Sequence, residues 1–97
     1  MPSTEETVDI ENAGSTAPFR VLGADTVSVH IRGDAAADYA VDVRRNGGEW
    51  IQDIKSGYSG SADYDDVLTT GAEELRIRCT SGTGTAGDSA TITLMAS

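Results

Sequence analysis

Tyr39-Ala40-Val41-Asp42-Val43-Arg44-Arg45-Asn46-Gly47-Gly48-Glu49-Trp50 is the stretch that decides the fold class. Tyr39, Val41 and Val43 alternate with Ala40, Asp42 and Arg44, which is the two-residue period of a strand with one buried face. Asn-Gly is the strongest short signal for a hairpin. With Asn46 and Gly47 as the central turn residues, Arg44 faces Glu49, Val43 faces Trp50 and Tyr39 faces Ile54. The competing register, centred on Gly47-Gly48, sets Asp42 against Asp53, like charge opposite like charge. The first register is therefore expected. It buries Trp50 against Val43 and leaves Ile51 on the side of Asp42, an apolar residue on an otherwise polar face.

The same period recurs on both sides of this hairpin. Val27, Val29 and Ile31 alternate with Thr26, Ser28, His30 and Arg32, which places His30 outward as a solvated histidine. Leu75, Ile77 and Cys79 alternate with Glu74, Arg76 and Arg78, and Ala90, Ile92 and Leu94 with Thr91, Thr93 and Met95. Val8 and Ile10 suggest a short edge strand after a flexible arm, residues 1–6. Phe19 and Val21 follow a turn over 13–18, and residues 62–68 form a further strand. A Gly- and Ser-rich connection lies at 56–61 and a Gly- and Thr-rich loop at 81–88. No segment keeps a helical period for two turns; residues 34–38 allow one turn at most. Seven or eight short strands in 97 residues predict an all-β chain, a single antiparallel β-sandwich over residues 1–97, Ig-like or jelly-roll-like, with a small barrel as the other possibility. A Cys…Trp…Cys signature is absent, so "Ig-like" denotes architecture only.

Sixteen Asp and Glu against seven Lys and Arg give a net charge of −9. With no run of basic residues, the chain lacks the footprint of a nucleic-acid binder. Val, Ile, Leu and Phe number 18 of 97, a composition that with high charge borders on disorder; the strand-like alternation argues for a fold instead. Lys55 is the one lysine, and this lysine-poor, acid-rich balance predicts a protein from a salt-loaded cell, where carboxylates stay hydrated and their repulsion is screened, with an ordinary acidic protein of low-salt origin as the other reading. The N-terminus shows neither the basic nor the apolar segment of a signal peptide, so synthesis in the cytoplasm is expected. No apolar run approaches the roughly 18 residues of a membrane span, so no membrane partner is expected. Cys79, alone and in register with Leu75 and Ile77, reads as a small buried apolar residue.

Few residues offer chemistry. Asp63, Asp65 and Asp66, with Asp53 upstream, could meet a calcium ion, but the EF-hand pattern is not met and a hydrated acidic strand accounts for them. Arg32-Gly33-Asp34 is accounted for by a turn at the end of a strand. One histidine, one buried-looking cysteine and no recognisable nucleophile–base pair give no catalytic residue, and neither an enzyme nor a metal or cofactor is expected. Arg76 and Arg78, two apart on a strand, project from one face about 7 Å apart. They either pair with acids of the neighbouring strand or meet an acidic partner.

Glu74-Leu75-Arg76-Ile77-Arg78, the loop through Thr83-Gly84-Thr85-Ala86, and the terminal Ala90-Thr91-Ile92-Thr93-Leu94 resemble small structural proteins of tailed-virus heads; with the acidic composition, the chain resembles a virion protein of a haloarchaeal tailed virus. The resemblance implies a non-enzymatic protein located in the virion, decorating the capsid or forming turrets on it. Its implied partners are copies of itself, as a homo-oligomer such as a trimer, and the major capsid protein or other virion proteins. Symmetric association would also cover the sheet edges of a small sandwich. Val8, Ile10 and Ile51 are the expected apolar interface residues, and Arg76 and Arg78 the expected contacts to acidic groups of the shell. The rival reading is a host-surface or carbohydrate-binding adhesion module, which would normally be one domain of a longer secreted chain. A small regulatory binding protein, with Trp50 and the tyrosines lining a shallow site, is a third class.

Overall fold

The computed structural model describes residues 3–21, 26–45, 47–69 and 71–96 and contains eight strands: β1 Ser3–Asp9, β2 Thr16–Arg20, β3 Thr26–Arg32, β4 Asp38–Arg44, β5 Ile51–Tyr58, β6 Asp63–Thr69, β7 Glu74–Ser81 and β8 Ser89–Ala96. They form two four-stranded sheets, β1-β8-β3-β6 and β2-β7-β4-β5, in which neighbours are antiparallel throughout. The chain changes sheet at every connection except β4–β5, so the first strand pairs with the last and only one pairing is a hairpin. This double-sheet, eight-stranded order is a jelly roll, which selects one of the two expected sandwich types.

Alternation explains why these residues become strands. Val27, Val29 and Ile31 of β3, Ala90, Ile92 and Leu94 of β8, Leu75, Ile77 and Cys79 of β7, and Tyr39, Val41 and Val43 of β4 are buried and point into the space between the sheets. Their polar neighbours in sequence face outward, so a slip of one residue in any strand would exchange the core for the surface. Cys79 is buried and free, as its register requires. Burial pushes its thiol up, away from the reactive thiolate.

Three expectations need correction. The arm expected over 1–6 is a strand from Ser3 onward, paired with β8 from Ser3↔Met95 to Asp9↔Ser89; Met1 and Pro2 lie outside the described residues. Val8 and Ile10 belong to the core, not to an exposed interface. The loop before β8 closes over this end of β1: the Ile10 amide donates to the Asp88 carbonyl, the Thr83 amide to the Ile10 carbonyl, and the Gly84 amide to the Glu11 carbonyl. Gly82 is needed there because a Cβ at that position would collide with the Glu11 carbonyl oxygen.

The hairpin register is the third correction. Val43 pairs with Ile51, Val41 with Lys55 and Tyr39 with Tyr58, not Val43 with Trp50 and Tyr39 with Ile54. Asn46 lies outside the described residues, but the connection runs from Arg45 to Trp50 and is wider than a two-residue turn. The ladder then slips twice. Between Val41 and Val43 there is one residue on β4, whereas between Ile51 and Lys55 there are three on β5. This bulge passes through Asp53 at φ 57, a left-handed backbone that aspartate tolerates better than most side chains. Like-charge avoidance selected the expected register, but an attraction formed by the bulge outweighs it. The bulges on β5 and Pro18 on β2 also blunt the two edges of this sheet.

Candidate binding face

The outer face of β2-β7-β4-β5 holds three cross-strand rows: Thr16, Arg78 and Ala40; Pro18, Arg76 and Asp42; Arg20, Glu74 and Arg44. Asp42 stands at its centre. Although it points away from the hydrophobic core, it is 0% exposed, because long side chains and the bulge of β5 cover it. Its Oδ2 accepts from Arg76 Nε at 2.7 Å and Arg78 Nε at 2.9 Å. Its Oδ1 accepts from the Asp53 amide at 2.9 Å and from Arg78 Nη2 at 3.3 Å. Arg78 Nη2 also reaches Asp53 Oδ1 at 2.7 Å. The bulge thus turns a backbone donor onto Asp42 and a second carboxylate onto Arg78.

Burial pushes the Asp42 carboxyl up, but hydrogen bonds from Arg78, the Asp53 amide and Arg76 together outweigh it and hold the group below the usual carboxylate range. A carboxylate so committed is a structural anion and a poor proton acceptor. Of the two readings for Arg76 and Arg78, the structure shows pairing with the neighbouring strand: their side chains are only 16% and 20% exposed and both close on Asp42.

Trp50 lies on this cluster instead of in the core. Its ring centroid is 4.4 Å from the Arg44 guanidinium carbon and 4.5 Å from that of Arg76. Arg44 also binds Glu74 at 3.2 Å and donates to the Gly48 carbonyl, which fixes the loop carrying the indole. Trp50 is half-buried, so part of the ring meets solvent. Trp50→Ala is accordingly expected to cost about 1 kcal/mol, the scale of an exposed cation–π contact, and not the 3–5 kcal/mol of a vacated core site. Urea denaturation of the variant checks this, together with a wild-type emission maximum to the red of a core tryptophan.

The two outer faces differ in charge. The Trp50 face carries four guanidinium groups, of Arg20, Arg44, Arg76 and Arg78, and three carboxylates, of Asp42, Asp53 and Glu74. The opposite face presents Glu5, Asp9, Asp63 and Asp65 with Arg32 and His30. In a chain of charge −9 the Trp50 face is therefore the side an acidic surface could approach. Arg20 is exposed there and forms no ion pair among the described residues. Ile51, the remaining apolar residue expected at an interface, is 62% exposed at the start of edge strand β5.

Asp63, Asp65 and Asp66 do not converge. Asp65 accepts from His30 and Arg32 on the outer face of β6, whereas Asp66 turns the other way to accept from Tyr58 Oη at 2.6 Å, with Lys55 at 3.6 Å. Among the described residues no three metal-ligating side chains are grouped. The Arg32-Gly33-Asp34 tripeptide is a strand end and turn: the Gly33 amide donates to Ala62, and Asp34 accepts from the amides of Ala36 and Ala37.

His30 is not an isolated solvated side chain. Its Nδ1 lies 2.6 Å from Asp65 Oδ1 and its Nε2 3.2 Å from Ser28 Oγ. Local spacing does not reveal this nucleophile–base–carboxylate chain, because Asp65 arrives only through the β3–β6 register, His30↔Asp65. The alternation of β3 did place Ser28 and His30 on one face.

No protein-family profile matches the chain, and no curated protein matches it in sequence. Solved structures do. The SPBc2 prophage-derived protein YomS superposes with a TM-score of 0.66 at 16% identity, over 99% of this chain and 94% of that one. The family 32 carbohydrate-binding module of AlyQ, in complex with 4,5-unsaturated mannuronic acid, gives 0.62 at 17% identity over 95% and 77%. Chitosan-binding module 1 of a chitosanase/glucanase from Paenibacillus sp. IK-5 gives 0.60 at 16% identity over 96% and 94%. At these identities the likeness is one of fold, and it is to non-catalytic modules and a phage-derived protein.

Proposed function

We propose that this chain is a non-enzymatic structural protein of a virus particle, decorating the shell or forming turrets on it through subunit contacts of the Trp50 face. The observation that carries this reading is the end-to-end superposition on a prophage-derived protein of nearly the same size. Folds of this order serve viral capsids and lectins alike, and fold alone does not assign function; the face itself supports docking. It combines an aromatic side chain, guanidinium groups fixed by a buried carboxylate, and an exposed Arg20 that has no ion pair among the described residues, the residue types that anchor protein interfaces. The acidic composition fits a halophilic tailed virus. Self-association, as a trimer for example, would cover the edge strands.

A second reading, glycan binding, is favoured by one observation: a half-buried indole on a polar, arginine-bearing face, in a fold shared with carbohydrate-binding modules. One pair of titrations separates the two. Shells lacking the chain should take up the wild type and lose at least tenfold of that uptake with Arg20→Glu plus Trp50→Ala. Chitosan and uronate oligosaccharides should leave Trp50 fluorescence unchanged. Saturable quenching by a saccharide with no uptake on shells would replace the first reading by the second.

A further inference from the structure

Ser28, His30 and Asp65 form a continuous hydrogen-bonded chain on the outer face of β1-β8-β3-β6, away from the Trp50 face. The Asp65 carboxylate, facing His30 Nδ1 at 2.6 Å, selects the tautomer with hydrogen on Nδ1 and leaves Nε2 to accept the Ser28 hydroxyl proton at 3.2 Å. Asp65 is itself pinned: Arg32 Nη2 donates to the same oxygen at 2.9 Å, while Arg32 Nη1 is held by the carbonyls of Ile31 and Tyr64. Hydrogen bonds from His30 and then Arg32 hold the Asp65 carboxyl below its usual range, so it stays ionised. The cross-strand neighbours of Ser28 are Val67 on β6 and Met95 on β8, which are 63% and 36% exposed. The hydroxyl therefore lies between two exposed apolar side chains, a seat for a short acyl chain.

We propose that Ser28 is a covalent acyl-acceptor site, modified once per chain by activated esters or thioesters with short apolar acyl groups. Ser28 Oγ attacks the carbonyl carbon of R–CO–X and its proton passes to His30 Nε2. Collapse of the tetrahedral adduct breaks the C–X bond, X departs with that proton as HX, and the ester Ser28 Oγ–CO–R remains. No oxidation state changes.

The sheet also explains why the reaction stops there. Backbone amides of β3 are taken up by the ladders to β6 and β8, so no pair of them is aimed at an oxyanion. A good leaving group offsets that lack in the first step. Hydrolysis of the resulting alkyl ester has no such group to expel, so the acyl chain stays on Ser28. Asp65 is a positioning residue in this scheme, acting through His30. A modification site of this kind is compatible with a non-enzymatic protein and independent of what the Trp50 face binds.

The test uses the folded full-length chain in molar KCl with p-nitrophenyl acetate, p-nitrophenyl butyrate and a butyryl thioester, read by intact mass and peptide mapping. One acyl group on Ser28 is expected, with butyrate faster than acetate. Ser28→Ala should abolish the adduct, His30→Gln should slow it by about 10²-fold or more, and Asp65→Asn by about tenfold, with partial recovery in Asp65→Glu. Far-UV circular dichroism of each variant verifies its fold. Acylation confined to Lys55 or the N-terminus, or Ser28 acylation at the same rate in His30→Gln, overturns the proposal.

Discussion

Asp42→Ala is expected to destabilise the protein by about 3–5 kcal/mol, the cost of removing one partner from a buried ion pair. The carboxylate is 0% exposed and accepts from two arginines and a backbone amide. Without it, Arg76 and Arg78 sit side by side, four-fifths buried, with Asp53 left for one of them, and the Asp53 amide has lost its acceptor. A loss on this scale is a large fraction of the ~5–15 kcal/mol that a domain has. Asp42→Asn keeps the shape and one acceptor oxygen but not the charge, so it should fall between. Urea denaturation in molar KCl measures all three proteins, and a loss below about 1 kcal/mol for the alanine variant would show that the arginines re-solvate freely.

The sign with pH follows from the same site. Asp42 has a folded-state pKa below its unfolded value, so its ionised form stabilises the fold at neutral pH. That contribution is complete above the unfolded value of about 3.9 and is lost as pH falls through the folded value. Asp65 and Asp66 are lowered too, by His30 and Arg32 and by Tyr58 respectively. Acid should therefore unfold the wild type progressively below about pH 4. The stability gap between wild type and Asp42→Ala should narrow over the same interval. A gap constant from pH 7 to pH 2 would remove Asp42 ionisation as its cause.

The second large effect concerns salt. A net charge of −9 on 97 residues, with carboxylates dominating one outer face, is screened over about 3 Å in molar salt but over about 30 Å at 10 mM. Unscreened repulsion can then exhaust a margin of ~5–15 kcal/mol. The free protein is expected to show a strand-rich far-UV spectrum and a cooperative melt in molar KCl, and to lose both at 10 mM, reversibly. A spectrum and midpoint unchanged between the two salts would contradict a halophilic origin of the composition.

Period-two alternation made most of the fold legible in the sequence. It marked Val27–Ile31, Leu75–Cys79 and Ala90–Leu94 as strands with the core side correctly assigned, because burial of one face leaves a local trace. Which strands pair left no such trace. Seven of the eight strands take partners that are distant in the chain, and the jelly-roll order is set by the fit of the two inner faces as a whole. The one local pairing, β4 with β5, was recognisable from Asn46-Gly47, but its register was not. The expected register avoided Asp42 opposite Asp53, yet both acids are present in one cluster because Arg78 arrives from β7 to bridge them, while Arg76 adds a second guanidinium on Asp42. Trp50 is out of the core because the connection is one residue longer than the expected turn, so that Ile51 and not Trp50 pairs with Val43. The Ser28–His30–Asp65 chain likewise depends on the β3–β6 register. Its first two members share a face by alternation, whereas Asp65 stands out in the sequence only as one of a cluster of acids with Asp63 and Asp66, with nothing to link it to His30.

Structural membership of a virus particle is tested most directly by quantifying the chain in particles purified from a culture that carries its gene. Mass spectrometry with isotope-labelled peptides should find many copies per particle, in a constant ratio to the main shell protein across gradient fractions. A chain absent from intact particles and recovered only with host cells or host envelopes would contradict the account.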